Sequence, residues 1–239
     1  MPCSLIHTTK PDVIGTESWL KPKHFDNEIF SPDQGYTPSR RDRVGQNGGG
    51  VFIAVRNDIV VQEMKDIEYD CEDVWIKIDL FGSKSLIIGA YYKPHEHDQQ
   101  CWEEFSKSLS KTRKLNCNIW VAGDFNLLKM DWDHMCHSPV CKHPSFYRQI
   151  TEVPNDSNRT QTVSLLTRDS NILDLFYTTN PTLVQRVSIL SGISDHDIVQ
   201  IQVIPLHNSF SETTVYIPIQ KGKLGWDEAG TRSLPSGHA

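Results

Sequence analysis

The sequence predicts a single α/β domain in which strands predominate. Short apolar runs rich in β-branched residues recur along the chain, and segments with helical spacing separate some of them. The 239 residues, of which 38% are hydrophobic and 23% charged, are enough to bury one sizeable core. One folded domain is the simplest interpretation of this pattern.

Seven of the apolar runs are predicted strands. They cover residues 12–16, 51–57, 74–80, 85–92, 118–125, 172–178 and 197–204. Apolar side chains at roughly helical spacing predict a helix over residues 101–115 and a shorter one over residues 145–153. Residues 31–50 are predicted to form a loop, whose three final glycines permit a sharp entry into the next strand.

Composition and charge narrow the classes of function. The formal net charge of -6 argues against nucleic-acid binding by bulk electrostatics, because phosphate neutralisation needs clustered Lys and Arg. It does not exclude a nuclease, since metal-binding carboxylates add negative charge. The six cysteines are scattered, and we expect them to be reduced. Because the sequence has neither an apolar stretch of roughly 18 residues nor a secretory leader, we expect an intracellular protein.

Reactive side chains follow several predicted strands, where open α/β architectures present such groups. They are Glu17, Tyr92, Asp124, Asn126, Asp195 and His196. Asp174 lies instead inside the apolar run ILDLFYT, where a charge is costly unless it is paired, and a histidine is a natural partner. Taken singly, an acid at a strand end is more often a turn or capping residue. The order of these residues along the chain carries more information.

The motifs occur in the order TESWL, GGGVFIAV, YYKP, VAGDFN, TRDSNILDLFYTTNP and GISDHDIV. From about Pro11 to Val203 this order resembles the endonuclease/exonuclease/phosphatase superfamily, and within it the endonuclease of LINE-type non-LTR retrotransposons. The resemblance implies a DNase I-like, four-layer α/β sandwich of two mainly antiparallel sheets flanked by helices. It also implies Mg²⁺-dependent phosphodiester hydrolysis, with Mn²⁺ as a substitute ion and double-stranded DNA as the substrate that is nicked. We expect neither a membrane nor an obligate protein partner.

The resemblance assigns a role to each residue that would act on the metal or the attacking water. Glu17 and Asp195 are the implied metal ligands, since Mg²⁺ prefers oxygen donors. Asp124 and Asn126 would orient and activate the water. Whether Asp124 or His196 is the general base stays open.

Further residues are implied to bind the phosphate. His196, oriented by Asp174, would hydrogen-bond the scissile phosphate and stabilise the charge that develops there. Tyr92 would bind the phosphate, whereas Tyr91 would alternate to the opposite face of the strand. Other substrate-binding candidates are Thr162, Arg168 and Ser194.

One feature of the superfamily has no counterpart in this sequence. Family members begin with a core strand that carries a metal-organising Asn, and only the short segment MPCSLIHTTK precedes the segment leading to Glu17. We therefore expect an inner strand to be missing, with backbone donors left unpaired and activity reduced. The domain is expected to span residues 1–207, and residues 208–239 are expected to form a polar tail.

Other interpretations remain open. Residues 133–143 offer a structural zinc site, although four ligands so close in sequence would be strained, and an ordinary polar loop is the alternative. Its ligands would be His134, Cys136, His137, Cys141 and His143. A small phosphate ester as substrate and a non-catalytic binding module are also compatible with the fold. The basic groups compatible with a DNA backbone are Arg40, Arg41, Arg43, Lys93, Arg159 and Arg168.

Overall fold

Two six-stranded sheets form the framework of the part of the chain that the computed structural model describes. That part comprises residues 12–30, 32–95, 98–128, 130–132, 136–137, 147, 152, 158–192, 195–204 and 213–217. The strands are β1 (Asp12–Thr16), β2 (Tyr36–Arg41), β3 (Val51–Arg56), β4 (Val61–Glu63), β5 (Glu72–Ile78), β6 (Leu86–Tyr92), β7 (Asn118–Asp124), β8 (Met130–Asp131), β9 (Cys136–His137), β10 (Thr160–Gln161), β11 (Asp174–Thr178), β12 (Val184–Leu190), β13 (Ile198–Val203) and β14 (Thr213–Ile217).

The strand order is β12-β13-β14-β1-β3-β2 in the first sheet and β10-β11-β7-β6-β5-β4 in the second. Each sheet has one parallel pair at its centre, which is β14 with β1 in the first and β6 with β7 in the second. All other neighbours in the two sheets are antiparallel. The implied arrangement of two mainly antiparallel sheets is therefore confirmed. Strands β8 and β9 form a small separate ladder.

Alternating side chains of β3 show how the first sheet packs. Ile53 and Val55 join the large core cluster that also contains the buried side chains of the second sheet. Phe52 points to the opposite face, as the period of two in a strand requires, and its ring packs edge-on against Phe30. Phe30 directly follows the short helix α1 (Asp26–Ile29). The core thus lies between the two sheets, and a smaller cluster lies outside the first.

Helix α2 (Gln99–Thr112) covers the outer face of the second sheet. Asp98 caps its N-terminus, because the carboxylate accepts a hydrogen bond from a backbone N–H of the first turn at 2.9 Å. The buried Phe105 stacks on Tyr91 of β6 with ring centroids 3.8 Å apart. Tyr91 therefore faces the helix, and Tyr92, the next residue along the strand, points to the other face, as predicted.

The helix predicted over residues 101–115 is confirmed and is observed from Gln99 to Thr112. The second predicted helix, over residues 145–153, lies almost entirely outside the described residues. Neither α1 nor α2, the helices of the described ranges, is long and apolar enough to cross a membrane. The cysteines described there, Cys71, Cys101 and Cys117, are free thiols, in agreement with the expected reduced state.

A strand forms inside the segment predicted as a loop over residues 31–50. β2 pairs with β3 along its whole length, from Tyr36 opposite Arg56 to Arg41 opposite Val51. β2 is an edge strand, where a proline such as Pro38 is tolerated because one side of the strand needs no backbone donor. The loop prediction was wrong for Tyr36–Arg41. The local composition is typical of a turn, but pairing with β3, which lies further along the chain, makes this segment a strand.

A second strand forms within the predicted polar tail over residues 208–239. β14 lies between β13 and β1, with Val215 opposite both Ile201 and Asp12. The free side of β1, for which a missing neighbour was predicted, is therefore paired. The sequence TTVYI is rich in β-branched residues, which favour a strand once both neighbours are available. The prediction of a tail was wrong for Thr213–Ile217, and the domain boundary at residue 207 stays a prediction.

Five further strands of the described residues have no counterpart among the predicted ones, and the longest of them are β4 and β12. Both are edge strands of their sheets, and most of their side chains are exposed or only half-buried. An edge strand needs little apolar surface, because one of its long sides faces solvent. The apolar pattern of the sequence is accordingly weak at both.

Candidate active site

Tyr92, Asp124 and Asp174 lie side by side across three neighbouring strands of the second sheet. Tyr92 at the end of β6 is opposite Asp124 at the end of β7, and Asp124 is opposite Asp174 at the start of β11. Directly opposite residues point to the same face with their Cβ atoms roughly 5 Å apart. All three side chains are buried. The strand register thus gathers into one row three residues that are distant in sequence.

Gly123 allows β7 to approach β6 closely just before Asp124. Its φ of 147° is a conformation that residues with a side chain rarely adopt. A Cβ at this position would lie 1.8 Å from the carbonyl oxygen of Tyr91. The glycine of the VAGDFN motif is therefore required by the packing of the strand that presents Asp124.

Asp174 and His196 form a fully buried pair. Oδ2 of Asp174 lies 2.8 Å from Nδ1 of His196, and each side chain has 0% of its surface exposed. The predicted pairing of the acid in the apolar strand with the histidine is thus observed in the structure. The backbone N–H of Asp174 donates to the hydroxyl of Thr167 at 3.2 Å, so the start of β11 is also held.

Arg168 lies on the other side of the imidazole. Its Nη1 is 3.3 Å from Nε2 of His196, and its Nη2 forms an ion pair of 2.6 Å with Asp195. Because arginine has no acceptor, a neutral His196 must accept through Nε2 and donate its Nδ1–H to Asp174. The two neighbours of the imidazole therefore select one tautomer.

Asn126 holds the carboxylate of Asp124 from the following turn. Its backbone N–H donates to Oδ1 of Asp124 at 2.8 Å, and its left-handed φ of 49° suits an asparagine. The side-chain amide of Asn126 donates to the carbonyl oxygens of Lys93 and Pro94 at 3.5 and 3.4 Å. The buried ammonium of Lys93 in turn donates to the carbonyl oxygen of His95 at 2.9 Å. The end of β6 and the turn after β7 are thus joined.

Glu17 reaches the row from the first sheet. It directly follows β1, and the Tyr92 hydroxyl donates a hydrogen bond to its Oε1. Its φ of 48° is uncommon for a residue with a side chain, and such strain occurs often at functional sites. The two sheets thus contribute to one site, with Glu17 from one and Tyr92 from the other.

Burial has the largest effect on ionisation at this site. Burial and, after it, the charge of Asp174 raise the pKa of Asp124 to about 8. Burial and the hydrogen bond to Glu17 raise the pKa of the Tyr92 phenol above its usual range. Burial lowers the pKa of His196, but the hydrogen bond to Asp174 and the nearby carboxylates outweigh it, so the net shift is upward. Without a cation, burial therefore disfavours the charged forms of Asp124 and Tyr92.

The residues of the row fit a divalent cation. Asp124, Asp174 and His196 each offer a ligand atom, and these atoms lie within 4.8 Å of one another. Oδ1 of Asp174 is buried and accepts no hydrogen bond from any described residue. A buried carboxylate oxygen without a partner is costly, and a cation that prefers oxygen ligands would remove that cost. The predicted ligand Glu17 is linked to this group through Tyr92, whereas Asp195 is paired with Arg168.

The chain is similar to one family of sequences and to several solved structures. A family model described as "Endonuclease-reverse transcriptase" matches residues 85–200, which include the row and His196. The endonuclease domain of TRAS1, a telomere-specific non-LTR retrotransposon, superposes with a TM-score of 0.58 at 12% identity, covering 82% of this chain and 99% of that one. The chain therefore has a DNase I-like fold.

Two structures of ANGEL2, a 2',3'-cyclic phosphatase, are also similar. They have TM-scores of 0.47 and 0.48 at 14% and 13% identity, and the first contains adenosine-2',3'-vanadate. The match covers 84% of this chain in both cases and 76% and 75% of the ANGEL2 chains. No curated protein matches the sequence. The similarity to the TRAS1 endonuclease domain confirms the predicted fold class.

Several predicted residues of this DNase I-like domain lie away from the row or outside the described ranges. The half-buried Thr162 hydrogen-bonds the backbone of Phe176, with Oγ1 3.4 Å from its carbonyl oxygen. Ser194 lies outside the described residues, and so does most of the proposed zinc segment over residues 133–143. The substrate-binding role of Thr162 and Ser194 stays a prediction.

Two basic groups considered for the DNA backbone are buried in this fold. Lys93 has 0% and Arg159 has 2% of its surface exposed. Arg159 donates to Thr112 of α2, and Lys93 donates to loop carbonyl oxygens beside the row. Neither side chain reaches the surface, so that interpretation is wrong for both.

Thr167 and Glu72 belong to this region, although neither was predicted as a site residue. The hydroxyl of Thr167 accepts from the N–H groups of Leu173 and Asp174, and its carbonyl accepts from Asp197 N at 2.8 Å. Thr167 therefore ties the start of β11 to the loop of His196. Its place before Arg168 in LLTRDSN was the available signal. Glu72 is opposite Tyr92 in the ladder and extends the row to a fourth strand.

Proposed function

We propose that this chain is a divalent-cation-dependent phosphodiesterase that nicks double-stranded DNA. The observation that carries the proposal is the buried group of Asp124, Asp174 and His196, whose ligand atoms lie within 4.8 Å of one another. Burying two carboxylates together is costly in a protein without a function for them. The similarity to an endonuclease domain of a retrotransposon supports DNA as the substrate class.

Mg²⁺ is the proposed cofactor, with Mn²⁺ as a substitute. We assign three carboxylates to holding the ion. They are those of Glu17, Asp124 and Asp174, the last through its free Oδ1. When bound, the ion would neutralise charge on the phosphoryl oxygens and on the leaving oxygen. Asp195, predicted as a further ligand, is assigned here to fixing Arg168 through their ion pair.

Asp124 is the residue that we assign to activating the attacking water. A carboxylate must be ionised to accept the proton, and a nearby cation would favour the ionised form of a group whose pKa is raised to about 8. The backbone of Asn126 keeps Oδ1 of Asp124 in place, so the second oxygen is left for the water. Asn126 thus positions the base through its peptide group.

His196 and Arg168 are assigned to the phosphate. Their facing nitrogen atoms are 3.3 Å apart, so both point toward the same small volume. Protonation of His196, which Asp174 stabilises, would turn its Nε2 into a donor like Nη1 of Arg168. An anionic phosphate oxygen beside these two nitrogen atoms would accept from each. Tyr92 is assigned to orienting Glu17 and the phosphate through its hydroxyl.

Nicking of supercoiled plasmid by the purified chain in Mg²⁺ tests the proposal. We expect Asp124→Ala and His196→Ala to lose roughly 10²-fold or more of the nicking rate, as expected for a base or a phosphate donor. Asp58→Ala is the matched control, because Asp58 forms an exposed ion pair with Arg56. Inositol phosphates are assayed in parallel. Hydrolysis of these esters without nicking, or plasmid binding without cleavage, would contradict the proposal.

A further inference from the structure

A half-buried ion pair lies beside the row of Tyr92, Asp124 and Asp174. Glu72 begins β5 and is directly opposite Tyr92, so it continues the row formed by Tyr92, Asp124 and Asp174. Nε of Arg43 donates to Oε1 of Glu72 at 2.5 Å. The two side chains are only 16% and 15% exposed. An arginine–carboxylate pair with so little exposure is better ordered and less screened than an ion pair on the surface.

Arg43 also contacts Tyr92. The carbon atom at the centre of its guanidinium lies 5.6 Å from the centroid of the Tyr92 ring. A guanidinium at this distance from an aromatic ring is attracted by it. Arg43 therefore bridges Glu72 and the ring whose hydroxyl donates to Glu17.

The second carboxylate oxygen of Glu72 is linked to the Glu17 loop through a chain of backbone hydrogen bonds. Oε2 of Glu72 accepts from the backbone N–H of Gly50. The carbonyl oxygens of Gly50 and Gly49 accept from the N–H groups of Ser18 and Trp19 at 3.2 and 2.9 Å. Ser18 and Trp19 directly follow Glu17 in the sequence.

Gly49 and Gly50 are required because their backbone adopts conformations that residues with a side chain rarely adopt. Gly49 and Gly50 have φ values of 68° and 87°. A Cβ on Gly49 would lie 2.3 Å from the guanidinium of Arg43. Glu17 and Trp19 also have positive φ values, of 48° and 57°, which are maintained only if the surroundings hold the loop. The Glu72–Arg43 pair is a part of those surroundings.

These contacts form a closed ring. Glu72 contacts Gly50, Gly50 contacts the loop that contains Glu17, Glu17 contacts Tyr92, and Arg43 contacts both Tyr92 and Glu72. We propose that Glu72 and Arg43 are positioning residues that hold the Glu17 carboxylate in place for the divalent cation. Neither residue is assigned to contact the substrate. The part of this inference that concerns the cation rests on the proposed function, whereas the part that concerns the Glu17 loop does not.

Hydrogen–deuterium exchange of the metal-free chain tests the positioning directly. Glu72→Gln removes the charge that attracts Arg43, and Arg43→Lys keeps the charge but loses the planar contact with Tyr92. We expect the backbone N–H groups of Ser18 and Trp19 to exchange roughly 10-fold faster in both variants, since about 1.4 kcal/mol of local stability corresponds to a factor of ten. Asp79→Asn is the matched control. It breaks the ion pair between Lys77 and the exposed Asp79 at the other end of β5, and it should leave this exchange unchanged.

Calorimetric titration of Mg²⁺ into the same proteins tests the link to the cation. We expect Glu72→Gln to weaken Mg²⁺ binding by roughly 10-fold, with a nicking rate at saturating Mg²⁺ close to that of the parent chain. Unchanged exchange at Ser18 and Trp19 in folded variants would overturn the positioning role. Faster exchange with unchanged Mg²⁺ affinity would retain the positioning of the loop and overturn Glu17 as a ligand, which distinguishes this failure from the other.

Discussion

The carboxylate of Asp174 and the imidazole of His196 form a 2.8 Å contact in which both side chains are fully buried. Asp174 comes from the start of β11, and His196 comes from the loop that enters β13. The contact therefore connects the second sheet to the first beside the row of Tyr92, Asp124 and Asp174. Its first consequence is that the tautomer and the charge of His196 depend on Asp174.

Asp174→Asn tests that dependence. The amide retains the shape of the side chain but presents a donor or a neutral acceptor to Nδ1, so it no longer stabilises a protonated His196. We expect the nicking rate to fall by roughly 10² to 10⁴-fold, because an imidazole in the wrong tautomer cannot serve the phosphate. Melting curves should show a folded variant, and Asp58→Asn should nick as the parent does. A variant of Asp174 with full activity would contradict the role of the pair.

Mg²⁺ is expected to stabilise the parent chain through Asp124. A ligand that binds only the folded state at 100 times its Kd adds about 2.7 kcal/mol to the free energy of unfolding. Asp124→Asn removes one of the oxygen atoms assigned to the ion. Because it replaces a carboxyl whose pKa is raised to about 8 with a neutral amide of the same shape, the metal-free variant should melt close to the parent. Thermal melts with and without Mg²⁺ measure both effects. An equal shift on adding Mg²⁺ in the two proteins would exclude Asp124 from the ion site.

Asp73 predicts a pH dependence of stability away from the active site. It is buried and accepts from Trp75 Nε1 and Ser108 Oγ, each at 2.7 Å, and from Arg41 at 3.2 Å. Burial outweighs these donors and raises its pKa from 3.8 to about 6. A folded pKa above the unfolded value contributes stability below about pH 3.8 that is lost as the pH rises through 6, on the order of 3 kcal/mol.

Asp73→Asn removes that titration. We expect the free energy of unfolding, measured by urea denaturation, to fall less between about pH 4 and pH 7 in this variant than in the parent. The variant should also be less stable at about pH 4, because the amide nitrogen that replaces one carboxylate oxygen cannot accept a hydrogen bond from Trp75, Ser108 or Arg41. Asp79→Asn is the control, since Asp79 is exposed and its pKa is lowered by Lys77. An identical fall in the parent and in Asp73→Asn would show that the carboxyl of Asp73 does not cause it.

Strand β14 is expected to be essential for the position of β12 and β13 relative to β1, β3 and β2 in the first sheet. Among the described strands, only β14 pairs with both β1, which leads to Glu17, and β13, which follows His196. Val215→Pro removes a backbone donor from the middle of this inner strand, so we expect a loss of roughly 1–3 kcal/mol of stability and a weaker Mg²⁺ dependence of nicking.

Gln185→Pro is the matched control for that substitution. Gln185 lies at the irregularity of the edge strand β12, between the paired residues Val184 and Arg186. A proline at an irregular position of an edge strand is tolerated better than one in an inner strand, so we expect denaturation curves close to those of the parent. Equal destabilisation by the two prolines would show that the inner position of β14 has no special importance.

Much of the fold was predictable, because each of the seven predicted strands and the longer helix buries a local apolar pattern. β6 and β7, for example, are buried along almost their whole length, so their apolar runs match their observed bounds closely. β2 and β14 were not predictable in this way. The β2 sequence YTPSRR is polar and contains a proline, whereas the β14 sequence TTVYI favours a strand but lies in a segment predicted as a polar tail. Both are strands because β3, or β1 and β13, supply backbone partners.

The candidate site shows the same division. Asp174 was recognisable because a charge inside an apolar strand must be paired, and its partner is indeed a histidine. Glu72 was not recognisable, because EDVWIKI reads as an ordinary half-buried strand and only the register with β6 places Glu72 beside Tyr92. Thr167 was missed for a related reason, since its hydroxyl acts on backbone N–H groups and needs no motif of its own.

By itself, the sequence determined the fold class and the chemical types of the reactive groups, because apolar periodicity and residue identity are local properties that need no neighbour to be recognised. Only the tertiary structure decided that Glu72, Tyr92, Asp124 and Asp174 form one row and that β14 closes the first sheet. Strand register and strand order are set by pairing between segments that are distant in sequence, and that pairing has no local signature.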